Sequence, residues 1–210
     1  MSKIQETATL DNIHTAATQE FLEKGFQAAS LRNIVKTAGV TTGAFYGYYG
    51  SKEELFDSLV GRQAEYVLHL FDETLEGFEK LSRAEQTHKM TEISGDAMFE
   101  MLDYIYAYPD AFKMIMQCAE GTRYADFVHQ LVEKETRSTF DYIDTLKKMG
   151  QPIENINEKL VHMVSSGLFT GVLETVVHDM PKEEAKEYLI QLQRFHTAGW
   201  EGLLGVQFGE

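Results

Sequence analysis

Four carboxylate–imidazole spacings are the residues in this chain that could carry chemistry. Glu65 and His69, Glu158 and His162, and Glu174 and His178 lie four residues apart, while Glu85 and His88 lie three apart. Each spacing puts both groups on one helical face, and a Glu-x-x-His pair is the unit from which di-iron bundles are built. That chemistry needs two such motifs plus two further inward glutamates, and one motif is present. Surface or hydrogen-bonded histidines are the simpler reading, so no metal ligands are assigned. The chain also has no Gly-x-x-x-x-Gly-Lys loop, no Gly-x-Ser-x-Gly elbow and no Cys-x-x-Cys pair. No catalytic residue or cofactor is expected, and the chain is not read as an enzyme.

A second pattern points to binding. From Ser30 to Lys52 the only charges are Arg32, Lys36 and Lys52, in a chain whose net charge is -14. Within that window Thr41 to Gly50 is uncharged and holds Tyr46, Tyr48 and Tyr49. Cations without anions are what a phosphate-facing surface requires. Residues 1–60 carry a net -2 and the remainder -12, so most of the chain repels phosphate and any nucleic-acid contact must be local.

The elements that must hold this window follow from caps and periodicity. Ser30 precedes the apolar run Leu31, Ile34, Val35 and Ala38, which opens a helix. Gly39 provides the left-handed exit, and Thr41 or Thr42 caps the next helix. Ser51 with Glu54 forms a capping box that starts a third, running into Leu55, Phe56, Leu59 and Val60. Two helices joined by a short Gly-containing turn make a helix-turn-helix, whose second helix can enter a major groove. Upstream, Leu10, Ile13, Ala17 and Phe21 share a face over residues 10–24, closed by Gly25. The expected small core is Ile13, Phe21, Phe26, Leu31, Ile34, Val40, Phe45 and Tyr49.

Beyond this module, helical patterns extend to about residue 81 and then over 85–107, 111–120, 124–149, 156–179 and 182–204, separated by Pro109, Gly121, Pro152 and Pro181. No strand-like alternation or repeat occurs. The expectation is an all-α fold: an N-terminal three-helix DNA-binding domain of helix-turn-helix type over residues 1–55, then a helical ligand-binding and dimerisation domain over 56–210. Cys118 is the single cysteine, which leaves no intrachain disulfide. No N-terminal apolar run resembles a signal peptide. The most apolar uncharged run, 160–173, is short for a membrane span. A cytoplasmic chain that meets no membrane is the expectation.

The N-terminal residues resemble the TetR family of bacterial transcriptional regulators. The resemblance rests on Gly25-Phe26, Ser30, Ile34, Ala38-Gly39-Val40, Thr41, Gly43, Phe45-Tyr46, Tyr48-Tyr49 and Ser51-Lys52-Glu53-Glu54-Leu55, and covers about residues 10 to 57. It implies a homodimeric regulator, a repressor by expectation, that binds a near-palindromic double-stranded DNA operator and answers to an unknown small-molecule effector. Carried over residue by residue, Ser30 would touch phosphate, Thr41, Thr42, Gly43 and Tyr46 would line the readout surface, and Tyr48 and Lys52 would hold the DNA backbone. Thr42 stands where a Lys is common, Ala29 where a Thr is common, and Gly47 weakens a readout helix only two turns long. The other reading is a helical small-molecule-binding or protein-interaction module without DNA binding.

The middle helices are rich in Met and aromatics, a stripe that reads either as ordinary core or as the wall of an adaptable apolar pocket. The expected effector lining is Met98, Met101, Tyr104, Phe112, Met116, Phe127 and Phe140. Small residues Ser166, Gly167, Thr170 and Gly171 allow close helix approach, which serves either packing within the chain or, with Phe195 and Trp200, the expected two-fold interface.

Overall fold

The computed structural model describes the backbone of residues 3–208 and the side chains of residues 7–208; the outer ends of the two expected domains lie outside them. All regular structure among the described residues is helical: α1 Lys3–Ala28, α2 Leu31–Thr37, α3 Thr42–Phe45, α4 Lys52–Glu79, α5 Arg83–Ala107, α6 Pro109–Cys118, α7 Phe127–Lys148, α8 Glu158–Val177 and α9 Lys182–Leu204.

The caps work as side-chain chemistry dictates. Ser30 Oγ accepts from Asn33 N, Thr41 Oγ1 from Ala44 N and Ser51 Oγ from Glu54 N. Glu54 accepts in return from the Gly50 N–H at 2.7 Å, one residue before the cap, so the expected box closes on the preceding amide. A second box was not read from the sequence. Ser82 and Glu85 cap each other at the start of α5, so Glu85 is committed to a helix end. Gly25 sits at φ 73°, ψ 163° inside the span of α1, a break that only glycine makes without strain.

Two compact units form, and the first is discontinuous: residues 1–65 with 108–127, against 66–107 with 128–210. The linear boundary at residue 55 therefore does not coincide with the spatial one. In the first unit Ile13, Phe21, Phe26, Ile34, Phe45 and Tyr49 are buried as expected, while Leu31 and Val40 are only half-buried. Phe56 meets Phe21 and Phe26 edge-on at 5.0 and 5.3 Å, near the favoured aromatic separation. Helix α6 completes this core with Ala111, Phe112, Met114, Ile115 and Cys118.

The second unit gathers the rest of α4 with α5, α7, α8 and α9. Helix α8, 20 residues with mean hydropathy 1.5, is long and apolar enough by length and composition to cross a membrane, which the 160–173 run alone did not suggest. Its Val161, Phe169, Val172, Leu173 and Val176 are buried within this unit, and 39% of the apolar stretch is buried in all.

Candidate functional site

The start of α2 is held from below by a carboxylate. Glu20, on α1 and buried, accepts from the Ser30 N–H at 3.0 Å, the Lys24 ammonium at 3.0 Å and Asn33 Nδ2 at 3.3 Å. The Ser30 amide, with the other donors, holds its carboxyl below the usual carboxylate range. Ser30 is thus fixed at both amide and hydroxyl, and its side chain is half-buried. From sequence, Glu20 is indistinguishable from the polar residues around it.

Past the turn, where Gly39 takes φ 68°, α3 is one turn long, shorter than the two turns expected. Gly47 and Tyr48 donate to Ala44 and Phe45 carbonyls three residues back, so the helix tightens and stops. Phe45 is fully buried and Tyr49 nearly so, and these two rings pin the segment. Thr41, Thr42 and Gly43 are exposed, Tyr46 is 55% exposed, and Tyr48 is half-buried. Arg32 and Lys36 are exposed on α2.

Lys52, expected to hold the DNA backbone, has partners within the chain. Its ammonium donates to the carbonyls of Phe26 at 2.6 Å, Ala29 at 3.1 Å and Gln27 at 3.2 Å, and lies 4.6 Å from the Phe26 ring centre. Those carbonyls lie where α1 ends, beyond the Gly25 break, and the ammonium supplies three donors at that point. Lys52→Met keeps the stem and removes the donors, with an expected destabilisation of about 1–3 kcal/mol. Urea melts check it; an unchanged midpoint would refute the anchoring role.

The second unit contains a cavity of about 170 Å³ walled by α4, α5, α7, α8 and α9. Of the residues expected to line an effector pocket, Met98 and Met101 line this cavity. Tyr104 instead stacks on Tyr66 at 3.7 Å. Phe112, Met116 and Phe127 belong to the first unit, where the Phe112 and Phe127 rings lie 6.3 Å apart. Phe140 packs on the cluster of Phe78, Tyr142, Ile143 and Leu146. Helical spacing identifies an apolar face, but which bundle α6 joins is a tertiary outcome. The lining missed from sequence includes Glu135, Gln193, His196 and the single tryptophan, Trp200. Burial pushes the Glu135 carboxyl up to about 7 and the His196 imidazole down.

The six residues expected at a two-fold interface differ in exposure. Gly167 is exposed, with open space where a Cβ would be, and Phe195 is 73% exposed. Ser166 and Thr170 are half-buried. Gly171 serves packing within the chain: a Cβ there would stand 2.9 Å from the Tyr188 hydroxyl. Trp200 turns to the cavity. Apolar residues not singled out beforehand extend the exposed face, namely Leu160 and Met163 on α8 and Ile190 and Leu203 on α9.

Of the carboxylate–imidazole spacings, Glu174 and His178 pair at 2.9 Å. His69 approaches Glu73, Glu65 turns to Arg123, and His162 approaches Glu133 at 3.5 Å. Glu133 also lies 3.9 Å from His129, and the potential ligand atoms of these three residues lie within 4.8 Å of one another. This trio joins α7 to α8: His129 and Glu133 lie four residues apart on one helix, and only the fold brings His162 to them.

A capped helix, a glycine turn and a short exposed helix over a shared core define a helix-turn-helix protein with a helical second unit. A family model described as bacterial regulatory proteins, tetR family, matches residues 13–59. The transcriptional regulator YdgC of Bacillus subtilis is 34% identical over 165 residues, covering 75% of this chain and 80% of its own. YhgD, also an HTH-type transcriptional regulator of that organism, is 28% identical over 128 residues, and the match spans 61% of each chain. The crystal structure of SCO3833, a TetR-family member from Streptomyces coelicolor, superposes with a TM-score of 0.59 at 18% identity, over 87% of this chain and 88% of that one. The chain belongs to the TetR family of bacterial regulatory proteins.

Proposed function

We propose that the chain is an operator-binding repressor working as a homodimer, with residues 1–55 as the DNA-binding domain and residues 56–210 as the effector-binding and dimerisation domain. The observation that carries this reading is the face at α3: Thr41, Thr42, Gly43 and Tyr46 are exposed on a segment pinned by buried Phe45 and Tyr49. Groups held rigidly and left free of the fold are what base-edge recognition needs. Arg32 and Lys36 add positive charge on α2, and the Ser30 region and Tyr48 lie on the same stretch of chain. The two-fold contact is assigned to α8 and α9 through Gly167, Phe195 and their apolar neighbours, with Ser166 and Thr170 alongside. A small-molecule effector would occupy the cavity bounded by Met98, Met101 and Trp200.

Selection of bound DNA from a random pool tests the reading, and a near-palindromic consensus is the expected result. On that site Tyr46→Ala should lose about 1–3 kcal/mol and relax one base position. Arg32→Ala or Lys36→Ala should weaken all sequences similarly and each flatten the salt dependence by about one ion. Gel-shift titrations at several salt concentrations read both effects.

The commitment of Lys52 within the fold, together with a net charge of -14, favours the second reading, a small-molecule or protein-binding module without DNA affinity. A pool that yields no enriched sequence at low salt would select it.

A further inference from the structure

The cavity wall contains one carboxylate with nothing to neutralise it. Glu135 has no hydrogen bond or ion pair among the described residues, and none of the residues lining the cavity is Lys or Arg. Its neighbours along α7, Ser138, Thr139 and Tyr142, line the same wall, so the carboxylate belongs to a stripe facing inward. On α9 the same cavity is lined by His196, whose Nδ1 is buried without a partner. Most of the remaining wall is apolar or aromatic, with Phe71, Phe169 and Trp200 among it.

An unpaired carboxylate in such surroundings is costly, because protein has replaced its water and supplied no donor. Its neighbours in sequence did not meet this fate: Lys134 is paired with Asp72, and Glu133 lies beside two histidines. A ligand bringing a positive charge and N–H donors to Glu135 removes the penalty, and its apolar body covers the aromatic wall. A ligand with a carboxylate or phosphate head would place like charges together with no cation to separate them. A neutral ligand would leave the carboxyl to be satisfied by its own proton.

We propose that this cavity selects apolar amines: a protonated amino group against Glu135, with His196 as a further hydrogen-bond partner and the hydrocarbon or aryl portion against Phe71, Phe169 and Trp200. The aromatic walls suit a cation as well as an apolar body, since ring faces attract positive charge. This rests on the reading of the cavity as the effector site and names the chemistry that it would select.

The test compares three molecules of matched shape, 4-phenylbutylamine, 4-phenylbutan-1-ol and 4-phenylbutanoate, on the full chain. Trp200 is the only tryptophan, so its fluorescence reports cavity occupancy directly, and thermal melts provide a second readout. The amine is expected to bind at least tenfold more tightly than the alcohol, with the carboxylate weakest. Glu135→Gln should bind amine and alcohol alike. Ala97→Phe, which fills the cavity from α5, should abolish binding of all three while leaving a cooperative melt. If the alcohol or the carboxylate binds as tightly as the amine, or Glu135→Gln keeps the amine preference, the amine assignment falls and the cavity reading survives. If none of the three binds, or Ala97→Phe leaves binding intact, both fall.

Discussion

Phe195→Glu is expected to leave the chain monomeric at micromolar concentration and to weaken operator binding by at least about a hundredfold, the scale of gain from linking two binding modules. Phe195 is 73% exposed on α9 and Met163 72% exposed on α8, and with Leu160, Ile190 and Leu203 also exposed these two helices carry the apolar surface that the proposed two-fold contact would bury. In a two-fold contact every substitution enters twice, so the variant places two carboxylates in an apolar seam. Each would lose water without gaining a cation, a cost of several kcal/mol in a buried setting. Without the dimer each readout segment binds its half-site alone, and a chain carrying net -14 has little electrostatic affinity to fall back on. Sedimentation equilibrium and gel-shift titrations decide the matter. A dimer that persists with unchanged operator affinity would remove this face from the interface.

Glu135→Gln is expected to stabilise the ligand-free chain in alkaline solution, with an effect that fades on acidification. The carboxyl is pushed up to about 7 from an ordinary 4.5. The folded chain therefore keeps a proton that the unfolded chain releases. Below about 4.5 both states are protonated and Glu135 costs nothing as a charge. Between 4.5 and 7 the unfolded state gains from ionising, and stability falls as pH rises; above 7 the loss is complete. The full linkage amounts to about 3 kcal/mol, and water entering the cavity reduces it, so a gain of about 1–3 kcal/mol is expected at pH 8. Urea melts of both chains at pH 5, 6.5 and 8 should show the gap opening with pH. A gap of constant size would mean that the carboxylate is solvated or paired.

Both predictions concern the second unit, where sequence reading was least informative. Met98 and Met101 reached the cavity because they lie on the face of α5 that the other helices cover. Phe112, Met116 and Phe127 have equally suitable side chains but sit on the segment that closes the first core. Nothing in their spacing separates the two cases, because an amphipathic stripe records that a face is buried and not what buries it. Glu135 was passed over for the complementary reason. A glutamate in a polar stretch of helix looks solvated until the elements packed against it are known.

The N-terminal module was legible because its determinants are local. Ser30, Thr41 and the Ser51–Glu54 pair satisfy helix ends three residues away, Gly39 supplies a backbone angle, and Phe45 and Tyr49 recur at one helical turn. Such interactions are complete within a few residues, so types and spacing determined the helix-turn-helix, the all-helical class and the family. What the tertiary structure alone decided were the partners at long range. It sent Lys52 to the carbonyls beyond Gly25 and used Glu20 to hold Ser30. It folded α6 into the first core, spent Gly171 on packing against α9, and left Glu135 unpaired in an apolar cavity. In each case the energy depends on groups ten or more residues away, whose proximity no local pattern encodes.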